Sequence, residues 1–334
     1  MLGVARRLRD AVRPPAPSGA PLRLHVVGRP RVLVGLDARS TSHLAAVLRP
    51  VESLVEEGAA VLSSVPVDDL LPSGEWRVRQ WVGPATGLAG VRELADVRSV
   101  WSAGHFLPAG EAAYAFSVRR DLPFGVVQHG LITPFAPPLP YRAHALVWTV
   151  EDADYWRVGR SDITVRTVGS QLLADARRPR ADQLVTERAV RWHDRPPVYL
   201  GQLHGIELNV WQMAAAAYLT CRRTGAVYRP HPSERDALSR LLHRLWRAGG
   251  ITVDSGVGRI ADLEAPLIGV FSTGILEAAA SGLPAYVDYP RPPAWLMEFW
   301  ERNRMGRVGG APTAPPPAPE TDPAAAVAEW ARTV

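Results

Sequence analysis

The sequence contains no lysine: all 38 residues of the Lys+Arg class are arginine. That absence excludes a P-loop phosphate site with its lysine, a Schiff-base lysine and a Ser-Lys dyad. Any bound anion must then be met by arginine, histidine or backbone N–H groups. Cysteine is almost as scarce, with Cys221 alone. A single thiol excludes an internal disulfide and a Cys-based zinc site, and it fits a reducing, cytoplasmic setting. It lies in "AYLTCRRTG", an apolar helical stretch, and reads as a buried structural thiol. No run of about 18 apolar residues is free of charge, so no transmembrane helix is expected. The opening "MLGVARRLRDAVRPPAPSGAP" lacks the apolar centre and small-residue cleavage site of a secretory signal. It reads as a solvated extension, or as a short amphipathic helix on a membrane surface, which leaves room for peripheral contact with the inner face of a plasma membrane. No His, Asp, Glu or Cys grouping has metal-ligand spacing that suits a bound ion, so no metal ligand and no cofactor is expected.

What is present is a folding sequence: 47% of residues are hydrophobic, enough for ordinary globular cores. A net charge of +5 suits phosphorylated substrates and anionic lipids. Because the charge is spread along the chain and not blocked, it argues against nucleic acid as a partner.

Strand and helix patterns alternate. "RVLVGL" is a β-branched run, as in a buried parallel strand, and "STSHLAAVLRPVESLVEEG" follows with helical spacing. Pro50 argues against one straight helix there. "VRSVWSAG", "PFGVVQHG", "HALVWTV" and "DITVRTVGS" continue as strands, with "AGEAAYAFSVRRD" and "EDADYWRVG" as helices between. A second series begins at "PPVYLG" and runs through "ELNVWQMAAAAYLTCRRTG", "AVYRPHPSE", "DALSRLLHRLWRAGG", "ITVDS", "PLIGVFS", "TGILEAAASG" and "LPAYVDYP". Such alternation predicts two α/β domains with parallel sheets and a cleft between them. The expected divisions are a basic Pro-rich leader at 1–22, a first Rossmann-like domain at 23–180, a second at 181–307 and a Pro/Ala-rich linker with a terminal helix at 308–334.

In open parallel sheets ligands bind beyond the carboxyl ends of strands, so strand exits are the places to search. Three exits in the second series carry polar groups: "GQLHG" with His204, "RPHPSE" with Arg229 and His231, and "STG" with Ser272, Thr273 and Gly274. His231 stands between two prolines, which hold its loop extended and remove two backbone donors. Ser272-Thr273 opens a helix whose first N–H groups suit a phosphate, and Gly274 would permit close approach. Glu277, placed on the first turn, suits a ribose diol. Each piece alone also has a structural reading, as a plain N-cap, a capping carboxylate or a histidine satisfied within a turn. Together, at exits of one sheet, they favour an anion site for a nucleotide phosphate, with His204 touching the donor.

"YRPHPSE" followed by "FSTGILEAAASGLP" resembles the C-terminal half of bacterial GT-B glycosyltransferases. Within them it is similar to the group of polysialyltransferases, capsule Kdo transferases and CDP-glycerol glycerophosphotransferases. The resemblance implies that a His-Pro motif (His231, Pro232) and a Ser-Ser/Thr motif (Ser272, Thr273) hold the donor phosphate. It also implies a cytidine-nucleotide donor as co-substrate and a glycan or wall-polymer precursor as acceptor. "EEG" at 56–58 matches the letters of the acidic motif in sialyltransferases but lies at a helix end, not a strand exit.

In the first half "GVVQHGLITPF" offers Gln128, His129 and Gly130 at a strand exit. A histidine of ordinary pKa, about 6.5, can take a proton from an acceptor hydroxyl, and the resemblance points to His129 as that base. Asp37 is the other candidate base or the group that orients His129, and His43 lies nearby in "GLDARSTSH". The expected activity is a metal-independent glycosyltransferase or glycerophosphotransferase of cell-envelope polysaccharide. Two other readings stand beside it: a UDP-GlcNAc 2-epimerase, which has the same architecture, and a non-catalytic nucleotide- or RNA-binding protein.

Overall fold

Short β-branched runs build the first sheet of the computed structural model, which describes residues 21–83, 85–178, 195–203, 207–254 and 258–334. The strands are β1 (Leu22–Val27), β2 (Val32–Leu36), β3 (Ala59–Ser63), β4 (Arg77–Trp81), β5 (Ser99–Ser102), β6 (Phe124–Val127), β7 (His144–Val147) and β8 (Thr164–Thr167). Their spatial order is β4-β1-β3-β2-β5-β6-β7-β8. From β3 to β8 all pairs are parallel, as expected, but β1 runs antiparallel to both of its neighbours. Both β1 and β4 escape the sequence pattern because Arg and His interrupt their apolar runs, and β1 begins inside the segment assigned to the leader.

Alternate residues of the central strands enter two separate cores. Leu33 packs with Leu24, Leu62 and Phe116 on one face, whereas Val34 and Leu36 pack with Trp101, Val127 and Leu146 on the other. Burial on both faces is why these strands read as continuous apolar runs. Helix α1 (Pro108–Arg120) starts on a proline, whose missing N–H costs nothing at that position. Helix α2 (Val150–Arg157) is capped by Thr149, and α3 (Gln171–Arg177) follows β8.

The stretch expected to be one helix is three pieces: an α turn at Thr41–His43, a π segment at Leu44–Leu48 and a 3-10 segment at Arg49–Leu54. Pro50 has no N–H for the carbonyl one turn back, so the hydrogen bonding widens before it and tightens after it. The Trp101 indole N–H donates to the Val47 carbonyl at 3.0 Å and holds the irregular segment to β5. "EEG" is a turn: Gly58 has φ +94, and a Cβ there would meet the Arg29 carbonyl, while Glu57 pairs with Arg332.

The second sheet is β9 (Val198–Leu200), β10 (Val227–Arg229), β11 (Leu267–Gly269) and β12 (Ala285–Val287), in the order β10-β9-β11-β12, with every pair parallel. "ITVDS" does not form a full strand; it contributes a single parallel bridge, Tyr228 to Val253. The helices are α4 (Val210–Thr224, capped by Asn209), α5 (Ala237–Ala248, capped by Asp236), α6 (Thr273–Ala280, capped by Ser272) and α7 (Ala294–Arg302). Gly225, at φ +70, closes α4 in the left-handed conformation that glycine adopts without strain.

By contacts the chain divides into two compact units, the first sheet in one and the second in the other. Residues Asp175–Ala318 and Thr133–Phe135 belong to the second-sheet unit. The terminal helix α8 (Pro323–Thr333) belongs to the first-sheet unit, where Val327 and Trp330 enter the core and Ser99 Oγ donates to the Ala331 carbonyl at 2.8 Å. Residues 1–20 and 179–194, which hold the leader and most of the expected boundary, lie outside the described residues.

Candidate functional site

In the second-sheet unit the parallel order brings the exits of β10, β9 and β11 to one rim, with β9 in the middle. Buried side chains lace these exits together. Glu234, just past His231, accepts hydrogen bonds from the Leu203 N–H at 3.0 Å, the Tyr228 hydroxyl at 2.8 Å and, through its other contact, His243 Nε2 at 3.1 Å. Gln202 Oε1 accepts from the N–H groups of Val270 at 3.2 Å and Phe271 at 3.1 Å. The Trp300 indole N–H donates to the Val270 carbonyl at 2.6 Å. The rim is therefore one hydrogen-bonded scaffold, and each exit is fixed by its neighbour.

On that scaffold His231 is exposed, and its Nδ1 accepts the N–H of Ser233 at 3.1 Å. With Nδ1 as acceptor, the neutral ring carries its proton on Nε2, which makes that atom a donor suited to a phosphate oxygen. Arg229 donates from its guanidinium to the Gly258 carbonyl, so part of its fork steadies the neighbouring loop. Ser272 is an N-cap: its Oγ accepts from the Gly274 N–H at 3.1 Å, and its carbonyl accepts from Ile275 at 3.0 Å. Thr273 is the first helical residue and half-buried.

Two assignments change here. Gly274 does not open space for a ligand, because a Cβ there would meet Ile260 at 2.5 Å and Leu200 at 2.8 Å. The side of Gly274 that a Cβ would occupy is packed against protein atoms. Glu277 lies on the second turn of α6 and not the first, and Ile275 occupies the position that a capping-box carboxylate would need. Glu277 is buried, with 7% of its surface exposed. His204 lies outside the described residues.

In the first-sheet unit the exits of β2 and β6 bring His43 and His129 together, with ring centroids 3.9 Å apart and planes tilted by 42°. His43 Nδ1 pairs with Ser40 Oγ at 2.9 Å. Burial, with His43 alongside, pushes the His129 pKa down to about 3, and burial also lowers that of His43 despite the opposing charge of Asp37. The sequence reading assumed an ordinary imidazole. In this structure His129 is neutral at pH 7 but a weak proton acceptor.

Asp37 is committed elsewhere. Its carboxylate accepts the Ser64 hydroxyl at 2.7 Å and the first N–H groups of α1, Ala109 at 2.8 Å and Gly110 at 2.9 Å. It caps a helix and does not reach for a substrate. Gln128 is buried and holds its own loop: its amide donates to the Gly130 carbonyl and to Asp152, both at 3.1 Å, and accepts from the Trp148 N–H at 2.8 Å. Gln128 and Gly130 thus shape the turn that presents His129. The adjoining pocket, lined by Ser42, Trp148, Ser170 and Val327 among others, has a volume of about 10 Å³, room for one water. Among the described residues no group of three or more His, Cys, Asp or Glu is placed to hold a metal, and no helix is long and apolar enough to cross a membrane.

Two Rossmann-like α/β units, each with a parallel strand rim carrying histidine, define a GT-B-like fold. The structure resembles S. aureus MnaA in its UDP co-structure, with a TM-score of 0.52 and 13% identity, over 91% of this chain and 88% of that one. No protein family model matches the chain, and no curated protein matches it.

Proposed function

We propose that this protein is a nucleotide-sugar enzyme whose second-sheet unit grips the diphosphate of a uridine-nucleotide sugar. The observation that carries the reading is the single rim on which the His231 Nε2 donor and the Ser272-capped start of α6 both stand. Two charge-assisted hydrogen bonds of about 1.5–3 kcal/mol each, with a helix-end contribution of about 0.3–2 kcal/mol, correspond to roughly millimolar to micromolar binding. Glu277 is the proposed acceptor for ribose hydroxyls. The UDP in the S. aureus neighbour supports uridine over the cytidine suggested by the motif resemblance.

Two reactions fit such a site. A UDP-sugar 2-epimerase is the reading favoured by the comparison, since the likeness to a UDP-bound protein runs over nearly the whole chain. Glycosyl transfer is favoured by a different observation: Asp37 and Asp152, carboxylates near the first-unit rim, are engaged in structural hydrogen bonds, whereas epimerisation needs groups that remove and return a proton. In transfer, the bond between the anomeric carbon and the phosphate oxygen breaks, and fixed N–H donors meet the charge that develops on the leaving phosphate.

A melting-temperature screen of UDP, CDP, CMP and GDP tests the shared part, because a ligand of the folded state raises the melting point. A shift with UDP alone supports the proposal; no shift with any nucleotide removes it. Incubation with UDP-GlcNAc and no acceptor then separates the reactions. A new UDP-sugar epimer establishes epimerisation, and product only on addition of a glycan acceptor establishes transfer.

A further inference from the structure

The outer faces of α4 and α5 carry an unusual combination of residues. Trp211 is 60% exposed and Leu219 56% on α4, and Leu241 is 52% and Leu245 58% on α5. Each pair sits at helical spacing on the side away from the sheet, while Met213, Ala217, Leu242 and Trp246 face inward. The same two helices hold five arginines, Arg222, Arg223, Arg240, Arg244 and Arg247, all exposed, and no aspartate or glutamate. Arg223 pairs with Asp288 at 2.6 Å, and Arg222 and Arg247 donate to backbone carbonyls. The guanidinium groups of Arg240 and Arg244 have no ion-pair or hydrogen-bond partner among the described residues.

The topology makes these one surface. Right-handed crossovers from β9 to β10, and from β10 to the bridge at Val253 on its far side, put both helices on the same face of the sheet. Their carboxyl ends meet, since Arg222 donates to the Gly249 carbonyl at 3.2 Å and Tyr218 packs on Gly249. Those ends lie at the rim opposite the strand exits, while Trp211 and Arg240, near the starts of α4 and α5, stand toward the strand-exit rim.

The geometry points to this face as a docking surface for an anionic phospholipid bilayer, with Trp211, Leu219, Leu241 and Leu245 entering the headgroup boundary and the arginines meeting lipid phosphates. Charge decides between occupants. A second copy placed on the same face about a two-fold axis would set arginine against arginine, with no carboxylate from any of the four helices to relieve it. An anionic membrane matches both halves of the pattern, because apolar side chains and basic ones are drawn to the same layer.

The test is co-sedimentation of the full chain with vesicles of phosphatidylglycerol mixed with phosphatidylcholine, and with phosphatidylcholine alone. The expected result is binding to the anionic vesicles only, weakened by salt. Each arginine removed should weaken binding about fivefold, so Arg240→Gln with Arg244→Gln should lose on the order of 25-fold. Leu241→Ser with Leu245→Ser should also weaken binding. All four sites are exposed, and melting temperatures check that the variants fold; Arg244→Gln alone, expected at about fivefold, is the fallback. Equal binding by the arginine variant, no binding by the unaltered chain, or a dimer in solution that the leucine variant dissolves would each overturn the proposal. Capture of an acidic protein without binding to anionic vesicles would overturn it as well.

Discussion

His231 accepts the backbone N–H of Ser233 through Nδ1, at 3.1 Å. This one bond leaves Nε2 as the donor nitrogen of the neutral ring, and it gives a substitution test that simple truncation would not. Glutamine can place an amide N–H near the Nε2 position; asparagine reaches only the Nδ1 position. We expect His231→Ala and His231→Asn to weaken UDP binding by about 1.5–3 kcal/mol, roughly 10- to 150-fold, with His231→Gln falling between them and the unaltered chain. Calorimetric titration reads the difference. Three variants that bind UDP like the parent would remove His231 from the phosphate site.

Gly274 separates packing from ligand approach. Its Cβ direction is filled by Ile260 and Leu200, at 2.5 and 2.8 Å. Gly274→Ala should therefore cost about 1–3 kcal/mol of stability through overpacking, whether or not nucleotide is present. If the variant instead melted like the parent and lost only UDP affinity, the close-approach role would be restored.

Glu234 should behave as a scaffold residue for the whole rim. It joins the β10 exit to Leu203, Tyr228 and His243. Glu234→Ala strands these buried partners and should destabilise by about 3–5 kcal/mol, whereas Glu234→Gln keeps the shape and an acceptor and should cost less. Denaturant unfolding measures both. Nucleotide affinity should fall with stability in the alanine variant, since the loop beside His231 depends on the same carboxylate.

The contrast between His231 and Glu234 explains what the sequence could reveal. A histidine between two prolines and a serine opening a helix are local patterns, readable within a few residues. Glu234, three residues past that histidine, looks like a surface carboxylate in one dimension, because its partners at 203, 228 and 243 come from three elements. Gly274 was legible as a required glycine, but nothing in a sequence says whether protein or ligand occupies the missing Cβ. Asp37 was legible as a strand-exit carboxylate; its engagement with Ala109 and Gly110 needed the register that brings α1 over β2. The strand-helix alternation carried the parallel part of both sheets, while β1 was hidden by the polar residues in "LRLHVV". His25 in that strand is fully buried, so the interruption is real in the sequence and absent from the packing.

The buried histidines predict how stability depends on pH. Burial lowers the pKa of His129 to about 3, and lowers those of His43 and His25 as well. In the unfolded chain each titrates at about 6.5, so below that pH the unfolded state binds protons that the folded state refuses. Stability is then flat above pH 6.5 and falls as the pH drops toward 3, by up to about 1.4 kcal/mol per pH unit from His129 alone. Melting temperatures between pH 8 and pH 4 should follow that course. His129→Asn should remove part of the acid slope while leaving the neutral plateau flat, since asparagine does not titrate. A slope unchanged in His129→Asn would mean that His129 carries its proton in the fold. The imidazole beside His43 would then be an ordinary base, and its part in any acceptor chemistry would have to be judged at the ordinary pKa.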